Sequence, residues 1–221
     1  MTATRRVQQQ PAYVLHHRPF RDTSQLLDVI RREYGKVTLV ARGSRSAKSK
    51  LRGILRPFQL LRLSWFQRSD LGTLTGAEID AAPLSLSGDA LLSAYYVNEL
   101  VLHFLHRHDP QPEIFDAYAQ TIAALGRSDE LAANLRVFEL ELLRLLGYAL
   151  NLDYDANLHE PIDEQGRYEY RVEQGAVSVT RSEGPMVFSG ARLRGIAAAR
   201  FEDPAVLRDA GRLLREVIRH H

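Results

Sequence analysis

The apolar pattern of this chain changes at Pro83, from strand-like alternation before it to helical spacing after it. Side chains that alternate line one face of a strand, whereas those three and four apart line one face of a helix. The fold therefore has to combine a strand-built part with a helix-built part that follows it. Before Pro83 the apolar runs are short and separated by turn residues. Residues 12–16 close at Arg18-Pro19. Residues 25–33 carry Val29 and Ile30, and Tyr34-Gly35 leads into 36–42, where Val37, Leu39 and Ala41 alternate. Residues 58–66 put Leu61, Leu63 and Trp65 on one face, and 71–79 is rich in Thr and Gly. Five such strands, with Gly72 and Gly76 easing curvature in the last, predict a small closed barrel.

After Pro83, Leu91, Leu92, Tyr95, Tyr96, Leu100, Leu102 and Leu105 predict a helix that stops before Pro110. Ile114, Phe115, Tyr118, Ile122 and Leu125 mark a second, ending at Gly126. A third is expected from an N-cap at Ser128 to a stop at Gly147, with Leu135, Phe138, Leu142 and Leu145 inward. Residues 150–190 are polar and turn-rich, with a hairpin of 168–172 against 176–180. Asp203-Pro204 opens a last helix with Leu207, Ala210, Leu214 and Val217 inward and Arg208, Arg212, Arg215 and Arg219 on the opposite face. The predicted class is α+β: a barrel domain over 1–82 and a helical domain over 83–221 that carries a hairpin insertion at about 150–190.

Charge is distributed as unevenly as period. The net charge is +2, yet residues 1–80 hold 15 Lys and Arg against 6 Asp and Glu, and the remainder holds 14 against 21. The sharpest concentration is R-G-S-R-S-A-K-S-K-L-R-G-I-L-R, residues 42–56, with six cations and no acid. Cations packed this densely among small residues suit a phosphate backbone, and the lysines suit contacts that ignore sequence. Candidate nucleic-acid contacts are Arg18, Arg21, Arg42, Arg45, Lys48, Lys50, Arg52, Arg56 and Arg68, with Arg31, Arg32 and Arg62 in support. Phe20 and Phe66, placed in the first and fourth inter-strand loops, are candidates for base stacking, while Phe58 and Trp65 read as core.

Other function classes find little support. The chain has no G-x-S-x-G elbow, no phosphate-cradling glycine loop ending in Gly-Lys-Ser/Thr and no H-E-x-x-H, so no catalytic residue is assigned. His103, His106, His108 and Asp109 read as a solvated helix end, where the dipole favours imidazole. With no Cys there is no disulfide and no thiolate metal site, and no apolar run has the roughly 18 residues that span a bilayer. The first ten residues hold two arginines and no hydrophobic stretch, and a cytoplasmic protein without cofactor or metal is expected. A DNA-binding protein, an RNA-binding barrel protein with a helical interaction domain and a scaffold for an acidic protein all remain compatible with these features.

A resemblance separates them. The segments A-Y-V-L-H-H-R-P-F-R-D-T-S-Q-L-L-D-V-I, G-K-V-T-L-V-A-R-G-S-R-S, L-R-G-I-L-R-P-F-Q-L-L, A-Y-Y-V-N-E-L and L-R-V-F-E-L-E-L-L-R-L-L-G-Y resemble the bacterial recombination mediator family RecO from about residue 11 to the last helix. The resemblance implies an N-terminal OB-fold, binding of single- and double-stranded DNA, strand annealing and, with RecR, loading of RecA on single strands coated with SSB. It also implies that the helical domain receives the acidic, apolar-ended SSB tail, which needs a cation beside an apolar notch; Arg136, then Arg144, on the third helix are the candidates. Some members hold a four-cysteine zinc module at 150–190. Here the hairpin has to be held by packing. Members usually continue past the position of His221 with a Gly- and Lys-containing tail, to which no role is assigned here.

Overall fold

The computed structural model describes residues 5–67, 70–181 and 183–221. Five strands, β1 (Arg5–Phe20), β2 (Ser24–Arg31), β3 (Gly35–Ala41), β4 (Leu61–Gln67) and β5 (Leu71–Ile79), close a barrel in the order β1-β2-β3-β5-β4. All neighbours are antiparallel except β3 and β5, which run parallel from Thr38↔Leu71 to Val40↔Thr73. This is the strand order of an OB-fold. Its interior holds Val7, Ala12, Val14, Leu27, Val29, Val37, Leu39, Leu61, Leu63, Trp65 and Leu74. Gly72 is required there: a Cβ would stand 2.6 Å from Leu39 Cδ2 and 3.1 Å from Trp65 Cδ1.

β1 is longer at both ends than the apolar run at 12–16. Its start pairs with β4, Arg5↔Gln67, around an irregularity between Val7 and Gln10, and its end pairs with β2 as far as Phe20↔Ser24. The β3–β4 connection is a built loop. Ser44, fully buried, donates Oγ to Ala41 O at 2.9 Å, Ser46 N donates to Gly43 O, and Ser49 N donates to Ser46 O. Ser49 also caps a short 3₁₀ helix, Lys50–Gly53. Leu55 joins the barrel core, with Leu51 and Ile54 packed against it, so the apolar residues of the loop anchor it while its cations face outward.

Two helices complete the first of two compact units, Met1–Asp129 and Glu130–His221. They are α1 (Gly88–Phe104) and α2 (Pro112–Leu125). Asn98 binds them to the barrel: its Nδ2 donates to Leu15 O at 2.7 Å, and its Oδ1 accepts from the Tyr118 hydroxyl at 2.8 Å. Tyr118 is fully buried against Tyr13, and burial pushes its pKa well above the ordinary value. The compact division thus falls at 129/130, because α1 and α2 bury their apolar faces on β1 and β2.

The second unit contains α3 (Leu131–Leu145), a three-stranded sheet of β6 (Arg167–Arg171), β7 (Gly175–Ser178) and β8 (Val187–Ser189) in the order β7-β6-β8, then α4 (Gly190–Ala197) and α5 (Pro204–His220). The hairpin falls where the sequence predicts, and Asp203 caps α5 by accepting from Ala205 N at 2.8 Å. α3 begins after Glu130, two residues past Ser128 and without a side-chain capping bond, and β8 and α4 are additions to the predicted elements. The turn preceding the hairpin is organised by buried Asp155, whose carboxylate accepts from the backbone N–H of Asn157, Leu158 and Ser178. Burial would raise the pKa of this carboxylate, but those donors outweigh it and hold the pKa below the ordinary value. Among the described residues no cluster of three or more metal-ligating side chains occurs, and no helix is long and apolar enough to cross a membrane.

Candidate nucleic-acid interface

The structure divides the cations of the barrel half into those already engaged and those facing solvent. Arg31 is 1% exposed: it lies inside the barrel end, 4.4 Å from the Trp65 ring and 5.1 Å from that of Tyr34, and donates to Tyr34 O at 2.8 Å. It shares the inward parity of Leu27 and Val29, so it is a structural cation and no phosphate contact. Arg32 forks onto both oxygens of Asp116, at 2.8 and 3.1 Å, which raises its pKa further. Arg62 is tied to Asp80 at 2.9 Å. Lys36 turns inward and donates to Leu102 O at 2.5 Å, and burial lowers its pKa. These four, counted as basic in the sequence, are used up by the fold.

Arg18, Arg21, Arg42, Arg45, Lys48, Lys50, Arg52 and Arg56 are all exposed, and among the described residues none is paired with a carboxylate. Arg68 lies outside the described residues. Arg45 joins two segments of this surface: its backbone N donates to Thr23 O at 2.8 Å, and its Nη1 reaches Arg21 O and Asp22 O at 3.5 and 3.4 Å. The β1–β2 turn and the root of the β3–β4 loop are therefore pinned together, and Arg21, Arg42 and Arg45 come to one end of the barrel. The Arg21 guanidinium lies 5.2 Å from the centre of the half-buried Phe20 ring.

The two stacking candidates sit on strands rather than in loops. Phe20 is the last residue of β1, and Phe66 is inside β4 with 39% of its surface exposed. The predicted run at 12–16 ends before the proline-flanked Phe20, whereas Phe66 closes the predicted 58–66 run, which the structure carries on to Gln67. The register nevertheless gives Phe66 a place in an ordered surface. Partner residues run Arg18↔Leu26↔Val40↔Thr73↔Phe66↔Arg6, one row across the outer face from β1 round to β1 again. Residues paired across strands point to the same side. The row therefore has Arg18 at one end, Arg6 lying 5.7 Å over the Phe66 ring at the other, and an apolar floor of Leu26 and Val40 between. The parallel row through Tyr13 and Ile30 is covered by α2, since Tyr13 packs on Phe115 and Tyr118. In the other row Arg18, Phe66 and Arg6 are exposed, Leu26 and Thr73 are half-buried and Val40 is buried. Arg6, Leu26 and Val40 were not singled out from sequence, although back-to-back apolar pairs such as Leu26-Leu27 and Val40-Ala41 signal strands with apolar residues on both faces.

A cationic loop beside a barrel face that exposes an aromatic ring between arginines can neutralise phosphates and stack bases without reading base edges. The comparisons with known proteins fit that geometry. Residues 5–82 match the family model described as "Recombination protein O N terminal", and residues 85–221 match "Recombination protein O C terminal". The chain belongs to the RecO family. It is 43% identical over 218 residues to the DNA repair protein RecO of Nitrosococcus oceani, covering 98% of this chain and 88% of the relative. It is 39% identical to the DNA repair protein RecO of Aromatoleum aromaticum, covering all of this chain and 92% of the relative. Dechloromonas aromatica contributes a third, 40% identical over 227 residues.

For a RecO-family chain the two arginines suggested as tail receptors are already engaged within their own unit. Arg136 is half-buried on α3 and donates to Glu139, itself 1% exposed, at 2.6 Å. It also lies against α5, where a Cβ at Gly211 would stand 2.9 Å from Arg136 Nη1. Arg144 is exposed and forks onto both oxygens of Glu141 at 2.7 and 2.8 Å, which lowers the Glu141 pKa. An incoming carboxylate has to compete with Glu141 at Arg144, in water, and with a buried Glu139 at Arg136.

Proposed function

We propose that this chain is a DNA-repair mediator without catalytic chemistry. It binds single- and double-stranded DNA through the β3–β4 loop and the exposed Arg18, Phe66 and Arg6 of the outer barrel face, and anneals complementary strands. With RecR it helps load RecA on single strands coated with SSB. The observation that supports this reading is the row of exposed cations from Arg42 to Arg56, unpaired among the described residues and mounted on a loop whose apolar side chains fix it to the barrel. Annealing brings two phosphate backbones together, and their repulsion has to be neutralised on both strands at once. Lysines and arginines on an anchored loop do this while leaving base edges free to pair with each other. Membership of a family whose relatives carry DNA repair in their names favours DNA over RNA as the ligand.

The remaining parts of the reading follow from the same division of labour. The cytoplasm is the expected compartment. The SSB tail is assigned to the second unit, with Arg144 the more accessible contact and Arg136 available only if Glu139 is displaced. A strand-annealing assay with complementary oligonucleotides, bare and SSB-coated, tests the proposal. Acceleration of both is expected, together with its loss when Lys48 and Lys50 are replaced by Glu. If single-stranded RNA of equal length competes better than DNA and no annealing is seen, the RNA-binding reading takes its place.

A further inference from the structure

The last cation of the β3–β4 loop opens onto a groove that the interface above does not use. Arg56 is followed by Pro57, and Phe58 then adopts a left-handed backbone with φ of 65°. Side chains other than glycine rarely hold that conformation unless their surroundings require it. Here the Phe58 ring meets Tyr95 of α1 edge-on, with centroids 5.0 Å apart and planes at 75°. Arg56, Phe58, Leu84, Leu86, Leu91 and Tyr95 are among the residues lining an open groove of about 320 Å³. Tyr95 is 45% exposed, and Leu92, one turn before it on α1, is 67% exposed.

We propose that this groove is a base-stacking station for a single strand leaving the basic loop, with Arg56 on a phosphate and the free face of Tyr95 carrying a base. The proposal rests on the loop being a nucleic-acid interface, and it extends the path of the strand from the barrel onto the first helix. The lining leucines carry no side-chain polar group, and the Gln59 amide nitrogen is committed to Leu60 O and Ala81 O at 3.2 and 2.7 Å. The groove therefore offers mainly apolar side chains to the flat face of a base, and stacking of this kind tolerates any sequence. A duplex cannot use it without unstacking a base, so the station favours single strands. An apolar peptide ending in a carboxylate also suits a cation beside such a groove. Continuity favours the nucleic acid, since Arg56 ends a run of cations with no acid among them.

The test is a titration of a short oligothymidine carrying one 2-aminopurine, beside a duplex of the same length, at two salt concentrations. Tyr95→Ala is expected to weaken single-strand binding about tenfold, to leave the salt dependence and the duplex affinity as in the unsubstituted protein, and to be rescued by Tyr95→Trp. Leu92→Glu, a change at a side chain that faces solvent, is expected to lower single-strand affinity with the fold intact. Unchanged single-strand affinity in Tyr95→Ala and Leu92→Glu, with normal salt dependence, overturns the stacking station alone. The same holds if an acidic apolar peptide binds and both variants abolish that binding while the oligonucleotide does not compete. Absence of salt-dependent binding by the unsubstituted protein removes the loop reading and this proposal with it.

Discussion

The β3–β4 loop and helix α5 each carry a run of basic residues, Arg42 to Arg56 in one and Arg208 to Arg219 in the other. On α5, Arg212 lies 4.3 Å over the Phe188 ring and donates to Asp209, Gly184 O and Val187 O, while Arg219 is held by Glu216 at 2.9 Å. In the loop, no cation meets a carboxylate among the described residues, and the nearest acceptors are backbone carbonyls of the β1–β2 turn. The difference comes from local sequence. An acid three residues before an arginine on a helix shares its face and claims it, whereas a stretch without acids leaves its cations to find partners outside the molecule. Arg212 and Arg219, in the first setting, are held by the fold, and the loop cations, in the second, are the ones proposed to bind; Arg208 and Arg215 have no acid three residues before them.

Substitutions can break that comparison, and they are ordered here by expected size. Arg136→Ala removes one partner of the buried Glu139 carboxylate and is expected to cost up to about 3–5 kcal/mol of stability in chemical denaturation, with little change in DNA affinity. Near-normal stability would mean that Glu139 is held by other donors. Lys48→Glu with Lys50→Glu is expected to lower DNA affinity by roughly ten- to a hundredfold at moderate salt, equally for unrelated sequences, and to leave the melting temperature within a few degrees. Arg212→Gln with Arg219→Gln, at the α5 arginines held by acids, is the control. A comparable loss there would erase the distinction between the two surfaces. Phe66→Ala is expected to weaken single-strand binding by about 1 kcal/mol and to spare the duplex. Arg144→Ala breaks an exposed pair on a helix and is expected to cost only about 0.3–0.5 kcal/mol, so any large effect of this change on binding a synthetic SSB-tail peptide reports recognition rather than folding.

The barrel and the helices are legible in the sequence wherever the signal is local. β5 spans the predicted residues, and α5 begins at the predicted Asp203-Pro204 cap. The start of β1 is not legible, because Gln8-Gln9-Gln10-Pro11 reads as polar and turn-like and becomes a strand only by pairing with β4. The 3₁₀ turn, β8 and α4 are each too short for periodicity to mark them. Of the candidate site, the basic loop is readable because a run of cations is a property of neighbours in sequence. Its outer-face companion is not, since the row from Arg18 to Arg6 depends on the registers of five strand pairs, one of them the parallel pairing of β3 with β5. Arg31 shows the converse. Alternation places it on the inward side with Leu27 and Val29, but only the tertiary meeting of Tyr34 and Trp65 gives a charge somewhere to lie inside the barrel end.

The most direct measurement is the salt dependence of single-strand affinity for the unsubstituted protein beside the Lys48→Glu, Lys50→Glu pair. If the loop neutralises about five phosphates, the logarithm of the binding constant falls against the logarithm of salt concentration with a slope of roughly −3 to −4, and the double reversal brings it closer to −2. Affinity that does not change with salt, or a slope that the double reversal leaves untouched, would contradict the assignment of phosphate binding to this loop.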